Sequence, residues 1–274
     1  MSYKLEDVKT LRELMGAGIK DCKDALTESN GDMEQAKKIL RERGIAKAEK
    51  KSGREATEGA VVFHVSQDGK SFAALEVNCE TDFVARSEPF NAFLKHVAAA
   101  ALAHNVSDIE VLAKTAMEGF ATVEEGRSAT VLQVGENIQI KRVTTKHAKS
   151  GFFAGYQHGQ SIAVVVETSK ENTEVGKNVA MHIAAINPVS ISESDIPAEV
   201  LAEEKAIYMA QLKGSDKPEA ILEKIVDGKL KKFASGLCLY GQAYVKDPKQ
   251  TVKEYLKDSG EVEVLQFVRY ALGE

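Results

Sequence analysis

Two stretches of the 274-residue chain repeat one another, and that repetition limits the fold more than any single motif does. Residues 59–101 read as a strand, an Asp68-Gly69-Lys70-Ser71 turn, a second strand, a connection, and a helix containing His96-Val97-Ala98-Ala99. Residues 151–186 give the same order around His158-Gly159-Gln160-Ser161 and a helix containing His182-Ile183-Ala184-Ala185. Asp-Gly between apolar runs is hairpin chemistry, because glycine accepts the left-handed backbone that tight turns require. Two related β-β-α halves with antiparallel sheets follow, and the fold class is α+β. Gly69 and Gly159 lie 90 residues apart but His96 and His182 only 86, so the second connection is shorter. It reads Thr168-Ser169-Lys170-Glu171-Asn172. The first holds Asn78-Cys79 and then Thr81-Asp82-Phe83-Val84, ahead of the Ser87/Pro89 start signals of a helix over 88–104. The duplicated scaffold does not depend on an Asp-Phe pair, which favours a functional role for it. Held between strand and helix, Phe83 is either presented to a partner or folded onto its own core, and Asp82 beside Thr81 either serves that partner or caps a turn.

The flanking segments are helical by their periodicity. Leu5, Val8, Leu11, Leu14 and Met15 recur at helical spacing until Gly16; residues 19–29 follow with Cys22, Ala25 and Leu26 on one face; Asn30-Gly31-Asp32 starts a third helix that Gly44 ends. Residues 1–45 therefore read as a three-helix module, which resembles the ubiquitin-associated (UBA-like) fold and either docks on a partner or caps its own core, and the charged stretch 46–58 reads as a linker. The first core half spans 59–143, with a short helix at 108–117 and a strand within 131–143 entering a shared sheet. The second half spans 144–197 and 234–274. Between its parts, residues 198–213 and 218–233 are amphipathic and joined by Gly214-Ser215-Asp216-Lys217, which predicts an inserted antiparallel helical hairpin over 198–233. That hairpin either packs on the parent core or serves as a self-association arm. Residues 237–245, a helix at 252–257 and a strand at 262–270 close the sheet.

Chemistry of the enzymatic kind is hard to find. Gly69-Lys70-Ser71 imitates the end of a phosphate loop, but the required earlier glycine falls at His64 and no helix follows. The six histidines show no metal-ligand spacing, and no nucleophile elbow occurs. His96 and His182, in equivalent apolar helices, read as packing residues. Cys22, Cys79 and Cys238 are odd in number and far apart, so they read as small buried hydrophobes rather than disulfide or zinc partners. No cofactor and no metal is expected. No apolar run approaches a membrane span and no leader precedes the first helix, so the expected compartment is the cytoplasm. Charge is uneven: the first 54 residues hold 13 basic and 10 acidic side chains, the remainder 23 and 31. A mildly basic head on an acidic body suits an acidic protein surface better than nucleic acid, and the absence of Trp leaves few stacking platforms.

The stretches LRELMGAGIKDCKDAL (11–26), NGDMEQA (30–36), EVNCETDFVAR (76–86), VGENIQIKRV (134–143), YQHG (156–159), AMHIAA (180–185) and GKLKKF (228–233) together resemble the bacterial elongation factor Ts family, in the family's order across nearly the whole chain. The resemblance implies a non-enzymatic guanine nucleotide exchange factor for the GTPase elongation factor Tu, bound in its nucleotide-free or GDP-bound form. Thr81, Asp82, Phe83 and Val84 would be the wedge that enters the GTPase domain and disturbs its magnesium site. Lys9, Arg12, Ile19 and Lys23 match the docking face of the amino-terminal module, Val134 and Gly135 a second contact, and His158 a third. The hairpin at 198–233 matches a dimerisation-associated insertion. Longer members continue into a carboxy-terminal helical module; this sequence ends at Glu274. The alternative reading of the residues is a non-catalytic scaffold or chaperone-like interaction module.

Overall fold

The computed structural model describes residues 3–212 and 218–274, so the expected link at 214–217 lies outside the described residues. Two compact units divide the chain: residues 1–147 with 157–163 and 270–274, and residues 148–156 with 164–269.

The first unit opens with α1 (Leu5–Met15), α2 (Ile19–Glu28) and α3 (Met33–Lys51). Val8, Leu11, Cys22, Ala25, Leu26, Ile39 and Leu40 form their shared core, as the periodicity predicts. Asp32 caps α3 by accepting the Gln35 amide, and Gly16 ends α1 at φ +63. Three expectations change here. Leu5 and Leu14 are 65% and 59% exposed, so they belong to the surface and not to the core. Gly44 does not end α3; the helix continues to Lys51. A Cβ at Gly44 would sit 3.2 Å from the Ser128 carbonyl, so the missing side chain lets α3 approach the helix beneath it. Leu40, Gly44 and Ala48 make one buried stripe, and packing along it overrides the stop signal. Of the expected linker, 46–51 is therefore helical.

After β1 (Glu58–Val65), β2 (Ser71–Cys79), the one-turn α4 (Asp82–Ala85) and α5 (Glu88–His104) come α6 (Ile109–Lys114), α7 (Val123–Val134) and β3 (Ile138–His147). The α7 helix is unforeseen: its last residues, from Val131, fall in the stretch 131–143 that the sequence predicts to hold a strand. Thr122 caps it by accepting the Glu125 amide, and Gly135 ends it at φ +81. The sheet order is β1-β2-β3, antiparallel throughout. Near the end of β2 the register slips: Glu76 faces Arg142 but Val77 faces Ile140, so Lys141 bulges. Such a bulge bends and twists β3 just after it leaves the Glu136-Asn137 loop, opposite the last residues of β2 before Thr81. Leu75, Val77, Phe90, Phe93, Leu94, Val97 and Ile138 fill the core between sheet and helices.

The second unit holds most of β4 (Phe152–His158) and β5 (Ile162–Thr168), then α8 (Thr173–Ile186), α9 (Ala198–Gln211), α10 (Glu219–Leu237), β6 (Ala243–Tyr244), β7 (Asp247–Thr251), α11 (Val252–Asp258) and most of β8 (Val264–Ala271). Its sheet runs β4-β5-β8, and β6 with β7 stands as a separate ribbon. The strand at 138–147 thus joins the first sheet, β1-β2-β3, and among the described residues no sheet is shared by β3 and β8. α9 and α10 pair antiparallel: Val200 and Leu201 pack by Ala234 and Leu237, while Gln211 at the far end meets Lys229. His182 is fully buried, its Nε2 2.9 Å from Gln242 Oε1 and its Nδ1 accepting the Val245 amide. His96, by contrast, is only half-buried, on the wall of a groove of about 570 Å³. All three cysteines are buried and free.

Candidate functional site

Phe83 is the most exposed large apolar side chain among the described residues, at 83%. Its neighbours on α4 explain how it stays there. Val84 and Ala85 are buried in the core and anchor the turn from below, so a one-turn helix whose other face points down must raise residue 83. Asp82 is bound to Arg86 at 3.1 Å across the same turn, with both side chains substantially exposed.

Both ends of α4 are held from outside. At the front, Thr81 caps the turn by accepting the Val84 amide at 3.3 Å. The Glu136 carboxylate receives Thr81 twice, from the hydroxyl at 2.7 Å and from the amide at 2.9 Å. Glu80 returns the favour to the other loop, accepting the Asn137 amide at 2.7 Å. That hydrogen bond, ahead of the Arg54 guanidinium, holds the Glu80 carboxyl below its ordinary range. Asn137 is fully buried and donates to the Arg54 carbonyl at 2.8 Å, while Lys51 at the end of α3 donates to the Gly135 carbonyl. The buried Cys79 thiol donates to the Thr81 carbonyl at 3.1 Å. Burial first, and then the charge of Glu136, pushes that thiol up to about 12. At the rear, Gln160 donates to the Ala85 carbonyl at 2.7 Å and to Asn91 Oδ1 at 3.1 Å, and Asn91 itself donates to the Ala85 and Ser87 carbonyls.

The other expected contact residues lie on the same unit. Gly135 is exposed and left-handed, with open space where a Cβ would go; Val134 is half-buried against the core. His158 is exposed on the turn that supplies Gln160. Lys9, Arg12 and Ile19 line a groove of about 540 Å³ with Leu5, Val8 and Gln133. Ile19 is 52% exposed there, and Lys23, one turn further along α2, is exposed as well. Sequence reasoning missed Glu80, Glu136 and Gln160. Glu136 stands inside a quoted motif and Gln160 directly after another, but their use depends on which loops meet.

An aromatic exposed on a braced turn and a groove lined by charged and apolar side chains thus belong to one unit of an α+β fold of small antiparallel sheets. A family model described as "Elongation factor TS" matches residues 80–274. The chain belongs to the elongation factor Ts family, and it is a translation elongation factor. It is 46% identical over 274 residues to the elongation factor Ts of Methylococcus capsulatus, covering all of this chain and 93% of that one. The Thioalkalivibrio sulfidiphilus protein of that name gives 46% over 275 residues with the same coverage. The Psychrobacter protein gives 45% over 267 residues, 97% of this chain and 90% of the other. Among the described residues no helix is long and apolar enough to cross a membrane.

Proposed function

We propose that this chain accelerates GDP release from the GTPase elongation factor Tu by protein contact, with no covalent step of its own. The single observation that carries the reading is the 83% exposure of Phe83 on a turn held at both ends. A wedge must be outside before it meets its partner, and rigid enough to transmit force when it does. Asp82 and Phe83 enter the GTPase domain and shift the backbone that holds its magnesium ion, while Thr81 and Val84 keep the turn in place. Lys9, Arg12, Ile19 and Lys23 supply docking affinity, with Gly135, Val134 and His158 as further contacts.

Magnitudes favour this division of labour. A thousandfold faster release needs about 4 kcal/mol off the barrier. Burying one phenylalanine contributes only about 1.5–3 kcal/mol. The wedge therefore works mainly by disturbing the metal site, because the ion is the largest charge holding the phosphates. Linkage then requires that nucleotide weaken the factor by the same ratio, which releases it afterwards.

Exposed Ile207, Met209 and Ile221 on the α9–α10 pair support a second role for 198–233, self-association through that hairpin. The deciding test of the main reading is release of a fluorescent diphosphate from the GTPase with and without this chain. Acceleration of at least a hundredfold is expected; binding without acceleration would refute exchange and leave a scaffold.

A further inference from the structure

The geometry points to Glu136 as the positioning residue that sets the wedge, by tying the loop that carries Phe83 to the loop that carries Gly135. The inference rests on the wedge reading above and adds a residue and a cause to it. Two consecutive residues on each loop bind each other crosswise: Glu136 takes the Thr81 amide and hydroxyl, and Glu80 takes the Asn137 amide. Each carboxylate accepts backbone N–H groups that open loop ends leave without partners. Asn137 continues the brace to the Arg54 carbonyl, so the front of α4 is fixed to the far end of α3 as well.

The repeat supplies an internal control. In the second half Asn172 accepts the Val175 amide and caps α8 directly, and Thr168 Oγ1 donates to the Lys170 carbonyl within its own loop. That connection is also tied to the loop before β8, Ser169 accepting the Glu263 amide at 2.9 Å and donating its own amide to the Glu263 carbonyl at 2.8 Å, but among the described residues it has no crosswise carboxylate pair. A loop-to-loop tie is thus common to both halves, and what accompanies α4 is its carboxylate form, with Glu136 gripping the cap residue of the turn. Its position explains its use: Thr81 is both the cap of the turn and the residue Glu136 grips, so moving Glu136 moves the base on which Phe83 stands. Push on the ring, and the load passes through Thr81 to Glu136 and into the loop of Gly135, which meets the same partner in the proposed complex.

The test separates maximal rate from docking. Diphosphate release from the GTPase is measured against concentration of the full chain, for wild type, Glu136→Ala, Glu136→Gln and Phe83→Ala, together with amide hydrogen exchange of each free protein. Glu136→Ala should lower the maximal rate about tenfold, roughly what one hydrogen bond to a charged group is worth, and change the half-saturating concentration less than twofold. Glu136→Gln, whose amide can accept the Thr81 N–H and donate to its hydroxyl, should recover most of the loss. In Glu136→Ala the Thr81 amide should exchange at least tenfold faster while Leu75 and Val77 in β2 stay protected. In a Thr81→Val background, Glu136→Ala should cost at most threefold, because the hydroxyl half of the grip is already gone.

A slow Phe83→Ala beside a wild-type Glu136→Ala rate overturns this inference and leaves the wedge standing. Unchanged exchange at Thr81, or costs that simply multiply in the double variant, overturns it too. A fully active Phe83→Ala overturns the wedge reading and this inference with it. If Glu136→Ala also loses protection in β2, the decision falls to Glu136→Gln and Thr81→Val: a rate for Thr81→Val at least threefold below that for Glu136→Gln sustains the grip, and equal rates overturn it.

Discussion

Removing the ring of Phe83 should separate stability from function, and the structure says by how much. In the free chain the side chain is 83% exposed, so less than about a fifth of it is out of water. Full burial of phenylalanine is worth about 1.5–3 kcal/mol, and the share lost on truncation is therefore about 0.3–0.6 kcal/mol. For a chain of this size such a change moves the melting midpoint by about 2 °C at most. α4 keeps its cap from Thr81 and its anchors at Val84 and Ala85, none of which involves the ring. In the proposed complex the same ring would be buried in the partner, and its loss would remove the whole transfer term and leave a void besides. About 1.5–3 kcal/mol on the barrier corresponds to a tenfold to hundredfold slower maximal release. The assay pairs a urea or thermal melt with stopped-flow release of fluorescent diphosphate at saturating factor. A maximal rate within twofold of wild type would refute the reasoning, and so would a melting shift of several degrees, since that would place the ring in the fold and not on its surface.

The remaining expectations concern docking, the core and pH. Lys23→Glu reverses an exposed charge on the proposed docking face and should raise the half-saturating concentration about fivefold to tenfold while leaving the maximal rate within twofold; equal loss in both parameters would count against separate docking and wedging. Arg142→Ala leaves the fully buried Glu76 carboxylate without its charged partner at 2.7 Å, with the Gly273 amide at 3.2 Å still donating to it, and strips a hydrogen bond from the Ala271 carbonyl. Burial of that charge with no cation beside it should cost about 3 kcal/mol in urea unfolding, and a loss under about 1 kcal/mol would mean that the site takes in water. Burial holds the His182 imidazole below its ordinary range, opposed by its hydrogen bond to Gln242. The unfolded chain then binds a proton that the native state resists. The stability this residue contributes is complete above about pH 6.5 and falls as the solution is acidified below it. Unfolding free energies at pH 7.5 and 5.5 should show that decline in wild type and a shallower one in His182→Gln; identical slopes would show that the imidazole charges within the fold.

Much of this protein was legible from local chemistry. The repeat, the Asp-Gly turn, the Ser87/Pro89 start and the periodicities of α5 and α10 state their own conformations, because turn and cap preferences act over a few residues. The Asp-Phe insertion could be singled out by comparing one half of the chain with the other. Its fate could not, since exposure of a ring depends on what lies beneath it. That Phe83 stands outside follows from Val84 and Ala85 finding a core, and that core is built by β1, β2 and α5 together. Gly44 shows the limit from the other side: as a local signal it stops a helix, yet close approach to the Ser128 carbonyl makes it an interior residue. Glu136 gave no local sign, because a carboxylate 55 residues from the amide it holds acquires that role only when two loops are brought side by side. Sequence alone decided where the chain turns and which half carries the extra pair; the folded structure decided which side chains face water and what holds them there, for burial and long-range hydrogen bonds belong to the meeting of segments and not to any one of them.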